Sequence, residues 1–193
     1  MVNFTENEKR ALLVLLKDAF TYHNSNSLSK KLNISRVGSM KILKKLEENN
    51  ILKTINIGKS IVYKINFNDD YVCDVMTFLL SDESNDYKRW KNEFKELFNK
   101  NRIVIIFGSA LINYSKANDI DLLVIGQENF LMNIINEKQK ILSKKIHLIN
   151  ITNKKFLNNL DEKQKSIVEI IKTGIVLYGQ SKYVELLKNV KII

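Results

Sequence analysis

The sequence predicts an α/β chain of the α+β kind, with a helical N-terminal part and a C-terminal mixed sheet flanked by helices. Apolar residues recur at helical spacing three times before residue 50, and two alternating strand patterns then follow around Gly58. Further along, two short apolar runs rich in β-branched residues, Ile103 to Phe107 and Leu122 to Ile125, are typical of buried strands. Helical stripes between residues 69 and 101 join the two parts.

The composition supports folded domains in a reducing compartment. A chain of 193 residues with 45% apolar content is long enough for two small cores. The single cysteine, Cys73, excludes an intramolecular disulfide and favours a cytoplasmic protein. The sequence has no signal-peptide pattern and no apolar run of about 18 residues, so we expect neither secretion nor membrane insertion.

Three helices and a hairpin are predicted over the first 67 residues. The first helix covers residues 6–22, with Thr5 as its N-cap and Glu8 completing a capping box. A short helix over 27–32 and a third over 36–48 follow. Four apolar residues are predicted to form the inward face of the third helix: Val37, Met40, Leu43 and Leu46. Strands over 51–56 and 60–67 then predict a hairpin.

The stretch SLSKKLNISRVGSMKILKKLEENNILKTINIGKSIVYKI resembles the prokaryotic winged helix-turn-helix regulators. The resemblance implies duplex DNA as a partner, with residues 36–45 as recognition helix and the hairpin as wing. The implied DNA-binding residues are Arg36, Ser39, Lys41, Lys44, Lys45 and Lys59. The charge agrees, because residues 1–67 carry 12 Lys and Arg against 5 Asp and Glu. The alternative is a winged helix used for protein contact or dimerisation.

A helical linker is predicted over residues 68–101, between a winged-helix domain over 1–67 and a second domain over 102–193. Its second helix has an aromatic stripe containing Trp90 and Phe94, together with Leu97 and Phe98. This stripe is large for a linker helix, and regulators that read two-fold operators are commonly dimers. We therefore predict a homodimer with this stripe at or near the interface.

The second domain contains a pattern suited to binding a metal and phosphate. The first apolar run ends on Gly108-Ser109, and Asp119 and Asp121 stand at the start of the second run. Side chains at i and i+2 of a strand share a face, so the two aspartates should point the same way. Adjacent carboxylates repel each other and suit Mg²⁺, which prefers oxygen ligands and substrate phosphates. Glycine allows close backbone approach, and serine at a helix start offers donors to phosphate.

This arrangement resembles the signature of the DNA polymerase β superfamily, and FGSALINYSKANDIDLLVI is similar to the minimal nucleotidyltransferases. The resemblance implies that Gly108 and Ser109 hold a nucleoside triphosphate and that Asp119 and Asp121 hold Mg²⁺ or Mn²⁺. It extends over about residues 102–190. The predicted elements after Asp121 are a helix over 128–142, a strand over 145–152, helices over 154–160 and 162–172, a strand over 175–178 and a short final helix.

Two features depart from the family pattern. Active members usually carry a third acidic residue on the strand after the helix, and the matching residue in KKIHLINIT is His147. The spacer between Ser109 and Asp119 also lacks the Arg-Gly pair common in the family. Three interpretations of His147 stay open. It serves as the catalytic base, or the site binds nucleotide without turnover, or His147 is an ordinary strand residue in a shifted register.

The function predicted from these features is transfer of a nucleoside monophosphate to an acceptor hydroxyl by a DNA-binding protein. The resemblance implies a protein acceptor, as in antitoxins that nucleotidylate a toxin. The alternative is a transcription regulator whose degenerate nucleotidyltransferase domain senses nucleotide or mediates protein contacts. A third interpretation is an antitoxin that neutralises its toxin by binding alone.

Overall fold

The computed structural model describes residues 4–126 and 130–190, and the chain divides into two units between Leu79 and Leu80. The first unit contains α1 (Glu6–Lys17), α2 (Ser25–Leu32), α3 (Arg36–Glu48), β1 (Leu52–Ile57), β2 (Ser60–Ile65) and most of α4 (Asp70–Asn85). The second contains the rest of α4, α5 (Lys88–Glu93), a 3₁₀ turn (Lys95–Leu97), β3 (Arg102–Phe107), α6 (Ser109–Ile112), β4 (Asp119–Gly126), α7 (Leu131–Ile141), β5 (Lys145–Ile151), α8 (Asn153–Asp161), α9 (Lys165–Thr173), β6 (Ile175–Tyr178) and α10 (Gln180–Lys188).

The first unit has the predicted order of three helices and an antiparallel hairpin. Thr5 and Glu8 form the capping box at the start of α1. The helix ends at Lys17, five residues earlier than predicted, with Asp18 as its C-cap. His23 lies beyond that end and pairs with Tyr63 of β2 in an isolated antiparallel bridge beside the two-stranded hairpin. The winged-helix fold prediction is therefore confirmed.

The buried face of α3 differs from the predicted one. Ser39, Leu43 and Leu46 are buried, whereas Val37 and Met40 are 57% and 51% exposed. The buried residues Ser39, Leu43 and Leu46 are spaced i, i+4 and i+7, whereas the predicted face used the spacing i, i+3 and i+6. Both spacings keep residues on one side of a helix, and a small serine leaves room for close packing. The prediction placed Val37 and Met40 on the inward face because they are apolar, and it was wrong at both positions.

The second unit is built on a mixed four-stranded sheet with strand order β5-β4-β3-β6. β3 is antiparallel to both β4 and β6, while β4 and β5 run parallel, with α7 between them in the sequence. Short apolar runs make β3 and β4 central strands, because a strand covered on both faces needs continuous apolar residues. The predicted nucleotidyltransferase-like sheet is confirmed in its strands and its mixed pairing. The predicted helix over 128–142 is observed over 131–141, and residues 128 and 129 lie outside the described part of the chain.

The structure does not set residues 68–101 apart as a linker. The division between the units falls within α4, and Trp90, Phe94 and Leu97 belong to the core of the second unit. Trp90 is 5% exposed and the other two are fully buried. Phe98 stacks on Tyr178 of β6, with ring centroids 4.8 Å apart.

The burial of this stripe corrects the predicted dimer surface. Three of its four side chains are already covered by their own chain, so they have no apolar area left for a second copy. The homodimer itself stays a prediction, without an assigned interface. Among the described residues, no helix combines the length and apolar character needed to cross a membrane.

Candidate functional site

The candidate nucleotide site lies where β3 ends and β4 begins. Register pairs Phe107 of β3 with Asp121 of β4, so the turn at Gly108-Ser109 follows directly beside that aspartate. Ile120 and Leu122 are fully buried, while Asp119 and Asp121 are only partly buried. The alternation of a strand therefore places both carboxylates on one face, as the sequence predicted.

Gly108 is held close to Asp121 in a conformation that favours glycine. Its φ of 81° and ψ of −165° lie in a region that is essentially restricted to glycine. A Cβ atom at this position would lie 2.2 Å from Asp121 Oδ2. The turn therefore brings bare backbone against the carboxylate, and Ser109 begins the four-residue helix α6 directly after it.

His147 lies beside Asp121 on the other side. β4 and β5 pair in parallel with Asp121 opposite His147 and Asp119 opposite Lys145. The His147 Nδ1 atom is 3.0 Å from Asp121 Oδ1. This pairing answers the question of register, because His147 does occupy the position next to Asp121. Its side chain is 60% exposed, against 17% for Asp121.

The contact with an ionised Asp121 favours one tautomer of the His147 ring. An ionised carboxylate only accepts hydrogen bonds, so Nδ1 carries the proton in this contact. In the neutral imidazole, Nε2 is then the nitrogen with a free lone pair, which can take a proton from a hydroxyl. Asp121 thus uses Oδ1 towards histidine, while Oδ2 faces the glycine turn.

The donor set partly fits a divalent cation. Two carboxylates on one face suit Mg²⁺, which usually takes one or two carboxylates and completes its shell with phosphate oxygens and water. Over residues 4–126 and 130–190, however, no group of three or more His, Cys, Asp and Glu side chains is arranged to hold a metal ion. The two aspartates therefore fit a cation that arrives with phosphate oxygens better than a cation held by protein alone.

A cationic stack that sequence reasoning missed lies on the spacer between α6 and β4. The Arg89 guanidinium lies 4.0 Å from the centroid of the Tyr114 ring, and Lys144 Nζ lies 5.0 Å from it. Lys144 Nζ also donates to the carbonyl of Ala117. The family's Arg-Gly pair is absent from the spacer, but cations from α5 and from the turn before β5 lie against it. These residues are distant in the sequence and come together only in the fold, so no sequence pattern predicts their contact.

The predicted DNA-binding residues fall into three groups in the first unit. Arg36, Lys41 and Lys44 of α3 are exposed, as is Lys59 in the two-residue turn of the hairpin. Ser39 is fully buried, so its prediction as a DNA contact was wrong. Its serine character suggested a polar surface position, but it lies on the side of α3 that packs inward.

Lys45 is engaged within the protein. Its Nζ atom lies 2.7 Å from Oε1 of Glu8, whose side chain is only 5% exposed. Burial raises the pKa of Glu8, but the hydrogen bonds from Lys45 and Thr5 outweigh it and hold that pKa below its ordinary value. Lys45 therefore neutralises a buried carboxylate, so its charge is already paired within the protein, and its role in DNA binding stays a prediction.

Comparison with known proteins supports the resemblance of the second unit. Residues 92–183 match the family model described as polymerase beta, nucleotidyltransferase. This match confirms the predicted nucleotidyltransferase-like domain in the C-terminal half. A comparison with curated proteins gave no match.

Among solved structures, the chain is similar to ZitR of Lactococcus lactis. A ZitR mutant in complex with DNA is 21% identical, with a TM-score of 0.37, over 49% of this chain and 64% of that chain. A ZitR structure described as a zinc-responsive MarR family member is 20% identical, with a TM-score of 0.36, over 48% and 65%. This chain thus spans less than two thirds of the length of the ZitR chains.

Proposed function

We propose that this chain is a DNA-binding regulator whose second unit binds a magnesium-bound nucleoside triphosphate and transfers its nucleoside monophosphate to an acceptor hydroxyl. The observation that carries the proposal is the position of Asp121. One of its oxygens faces the glycine turn and the other contacts His147. This position supports the proposal because one carboxylate lies beside both the turn proposed to bind phosphate and the histidine proposed as base.

Each residue of the site has a separate role in the proposed reaction. Gly108 and Ser109 bind the triphosphate through backbone and hydroxyl donors. Asp119 and Asp121 are the ligands for Mg²⁺, which supplies charge neutralisation on the phosphate oxygens when it is bound. The acceptor oxygen attacks the α-phosphorus, the bond to the pyrophosphate oxygen breaks, and pyrophosphate leaves. The hydroxyl proton passes to Nε2 of His147.

The proposed acceptor is a hydroxyl group of a partner protein, and a toxin is the candidate that the family resemblance implies. A second function is favoured by one specific observation. His147 lies opposite Asp121, at the position where the family resemblance implies an acidic residue in active enzymes. A site of this kind that binds nucleotide without turnover would make the protein a nucleotide-sensing regulator.

Label transfer distinguishes the two functions. The chain is incubated with Mg²⁺ and triphosphates labelled at the α-phosphate, alone and with cell extract, and label on protein is measured. If the chain is a transferase, label should appear on protein. The His147→Ala variant should then lose labelling while still binding nucleotide. His23→Gln is the matched control, because the chain has only two histidines and His23 lies in the first unit. Nucleotide binding without label transfer would support the sensor instead.

The proposed DNA partner is supported by the first unit. Its exposed cations on α3 and in the hairpin turn fit phosphates on either side of a groove. We expect the full chain to bind duplex DNA with an affinity that falls steeply with salt, because neutralising phosphates releases counterions. Binding that is absent at low ionic strength would remove DNA from the proposal.

A further inference from the structure

The exposed face of α3 combines apolar and basic residues at helical spacing. Val37, Met40, Lys41 and Lys44 stand at i, i+3, i+4 and i+7, so they share one face. More than half of Val37 and of Met40 is exposed to solvent, while the opposite face of α3 is buried. A single exposed apolar residue needs no explanation, but two neighbours on the helix proposed to enter DNA do.

The charge around these two residues favours a nucleic acid over a protein as occupant. Arg36 precedes them, and Lys41 and Lys44 continue the same face. The acidic residues of α3 are Glu47 and Glu48, which both lie at the far end of the helix, where Glu48 is 3.7 Å from Lys44. A surface that is apolar at its centre and cationic along its length complements a groove lined by phosphates.

The position of the apolar pair within α3 indicates what it contacts. The N-terminal half of a recognition helix is the part that reaches base edges, and Val37 and Met40 lie in the first five residues of α3. In the major groove, thymine is the base that presents a methyl group. Lysine side chains contact mostly phosphates, so they position the helix without reading sequence.

We propose that Val37 and Met40 bind thymine methyl groups in the major groove, so that the first unit prefers A·T-containing sites. The inference rests on the proposed DNA-binding function and adds the class of sequence that is bound. Lys41 and Lys44 hold the flanking phosphates, and the apolar pair supplies the discrimination.

The test compares two duplexes that differ only in the methyl group. The full chain is titrated with an alternating A·T duplex of 20 base pairs and with the same duplex carrying deoxyuridine in place of thymidine. Burying a methyl-sized group is worth about fourfold in affinity, so two contacts predict about fifteenfold tighter binding to the thymidine duplex. The Val37→Ala, Met40→Ala double variant should lose this preference, and both positions are exposed enough for the core to stay intact.

Lys44→Ala serves as the control. It should weaken binding to both duplexes equally and leave their ratio unchanged, because its contact is with phosphate. Salt-dependent binding with equal affinity for the two duplexes would overturn the methyl inference and leave the DNA-binding proposal standing. A preference that persists in the double variant would overturn the assignment to Val37 and Met40. Absence of salt-dependent binding to either duplex would overturn both proposals and assign this face to a protein partner.

Discussion

Two adjacent lysines of α3, Lys44 and Lys45, should contribute unequally to the free energy of unfolding. Lys45 contacts the buried Glu8 at 2.7 Å, whereas Lys44 lies 3.7 Å from Glu48, and both of those side chains are more than 60% exposed. Replacing either lysine by alanine removes one positive charge from the same helix. The pair therefore separates the value of a partly buried ion pair from the value of charge on the surface.

The magnitude follows from exposure. Breaking a fully buried ion pair costs about 3–5 kcal/mol, while an exposed pair contributes about 0–1 kcal/mol. Glu8 is buried but Lys45 is about half exposed, so Lys45→Ala should cost about 1–2 kcal/mol. Lys44→Ala should cost less than about 0.5 kcal/mol. The Glu8 carboxylate keeps its hydrogen bond from the Thr5 N–H, at 2.8 Å, in both variants.

Amide hydrogen exchange of peptides from α1 and α3 measures this difference within the first unit alone. A loss of about 1–2 kcal/mol corresponds to exchange about five- to thirty-fold faster in Lys45→Ala. The effect should depend on pH. The folded pKa of Glu8 lies below its ordinary value of 4.5, so its stabilisation is present above that pH and is lost as pH falls through the folded pKa. The gap between Lys45→Ala and the natural chain should therefore narrow below about pH 4.5. Equal exchange in the Lys44→Ala and Lys45→Ala variants would refute the reasoning.

Two further substitutions test the turn beside Asp121 and the buried histidine. Gly108→Ala should cost the second unit about 1–3 kcal/mol in backbone strain and displace Asp121 Oδ2. It should lower the melting temperature of that unit, followed by Trp90 fluorescence, and abolish nucleotide binding. Gly58→Ala in the first unit controls for a positive φ without a clash, because Gly58 has a φ of 56° and a Cβ there meets no atom within 4 Å; it should leave nucleotide binding unchanged, and unchanged nucleotide binding in Gly108→Ala would count against the proposed turn. Burial lowers the pKa of His23 despite the nearby Asp18 carboxylate, so the unfolded chain takes up the proton first and the first unit should lose stability as pH falls below about 6.5. In His23→Gln this part of the pH dependence, measured by hydrogen exchange, should disappear; a profile unchanged by the substitution would contradict it.

The sequence predicts most of the fold because its patterns are local. Capping at Thr5, the hairpin around Gly58 and the apolar runs of β3 and β4 each depend on neighbours within a few residues, and the structure confirms them. The motif at Gly108-Ser109 with Asp119 and Asp121 was also visible, because residues at i and i+2 of a strand must share a face.

The remaining features depend on contacts between distant segments. Ser39 is polar and Val37 is apolar, but packing against α1 and α2 buries the first and exposes the second. Trp90 has the spacing of a linker stripe, yet the sheet of its own unit covers it. The ion pair of Lys45 with Glu8 joins residues 37 positions apart, a distance over which side-chain pattern carries no information.

The most direct test of the nucleotide site measures thermal stability with ligand. The melting temperature of the second unit is followed by Trp90 fluorescence with each of the four ribonucleoside triphosphates, with and without Mg²⁺, in the natural chain and in two variants. Asp121→Asn keeps the shape of the side chain but removes its charge, and Asp161→Asn removes a charge from an exposed position at the end of α8.

The account predicts that at least one triphosphate raises the melting temperature only when Mg²⁺ is present. A ligand at about 100 times its Kd adds about 2.7 kcal/mol to the stability of the native state. The shift should vanish in Asp121→Asn and persist in Asp161→Asn. No Mg²⁺-dependent shift with any of the four triphosphates, or an equal shift in Asp121→Asn and the natural chain, would contradict a nucleotide site at Gly108, Ser109, Asp119 and Asp121.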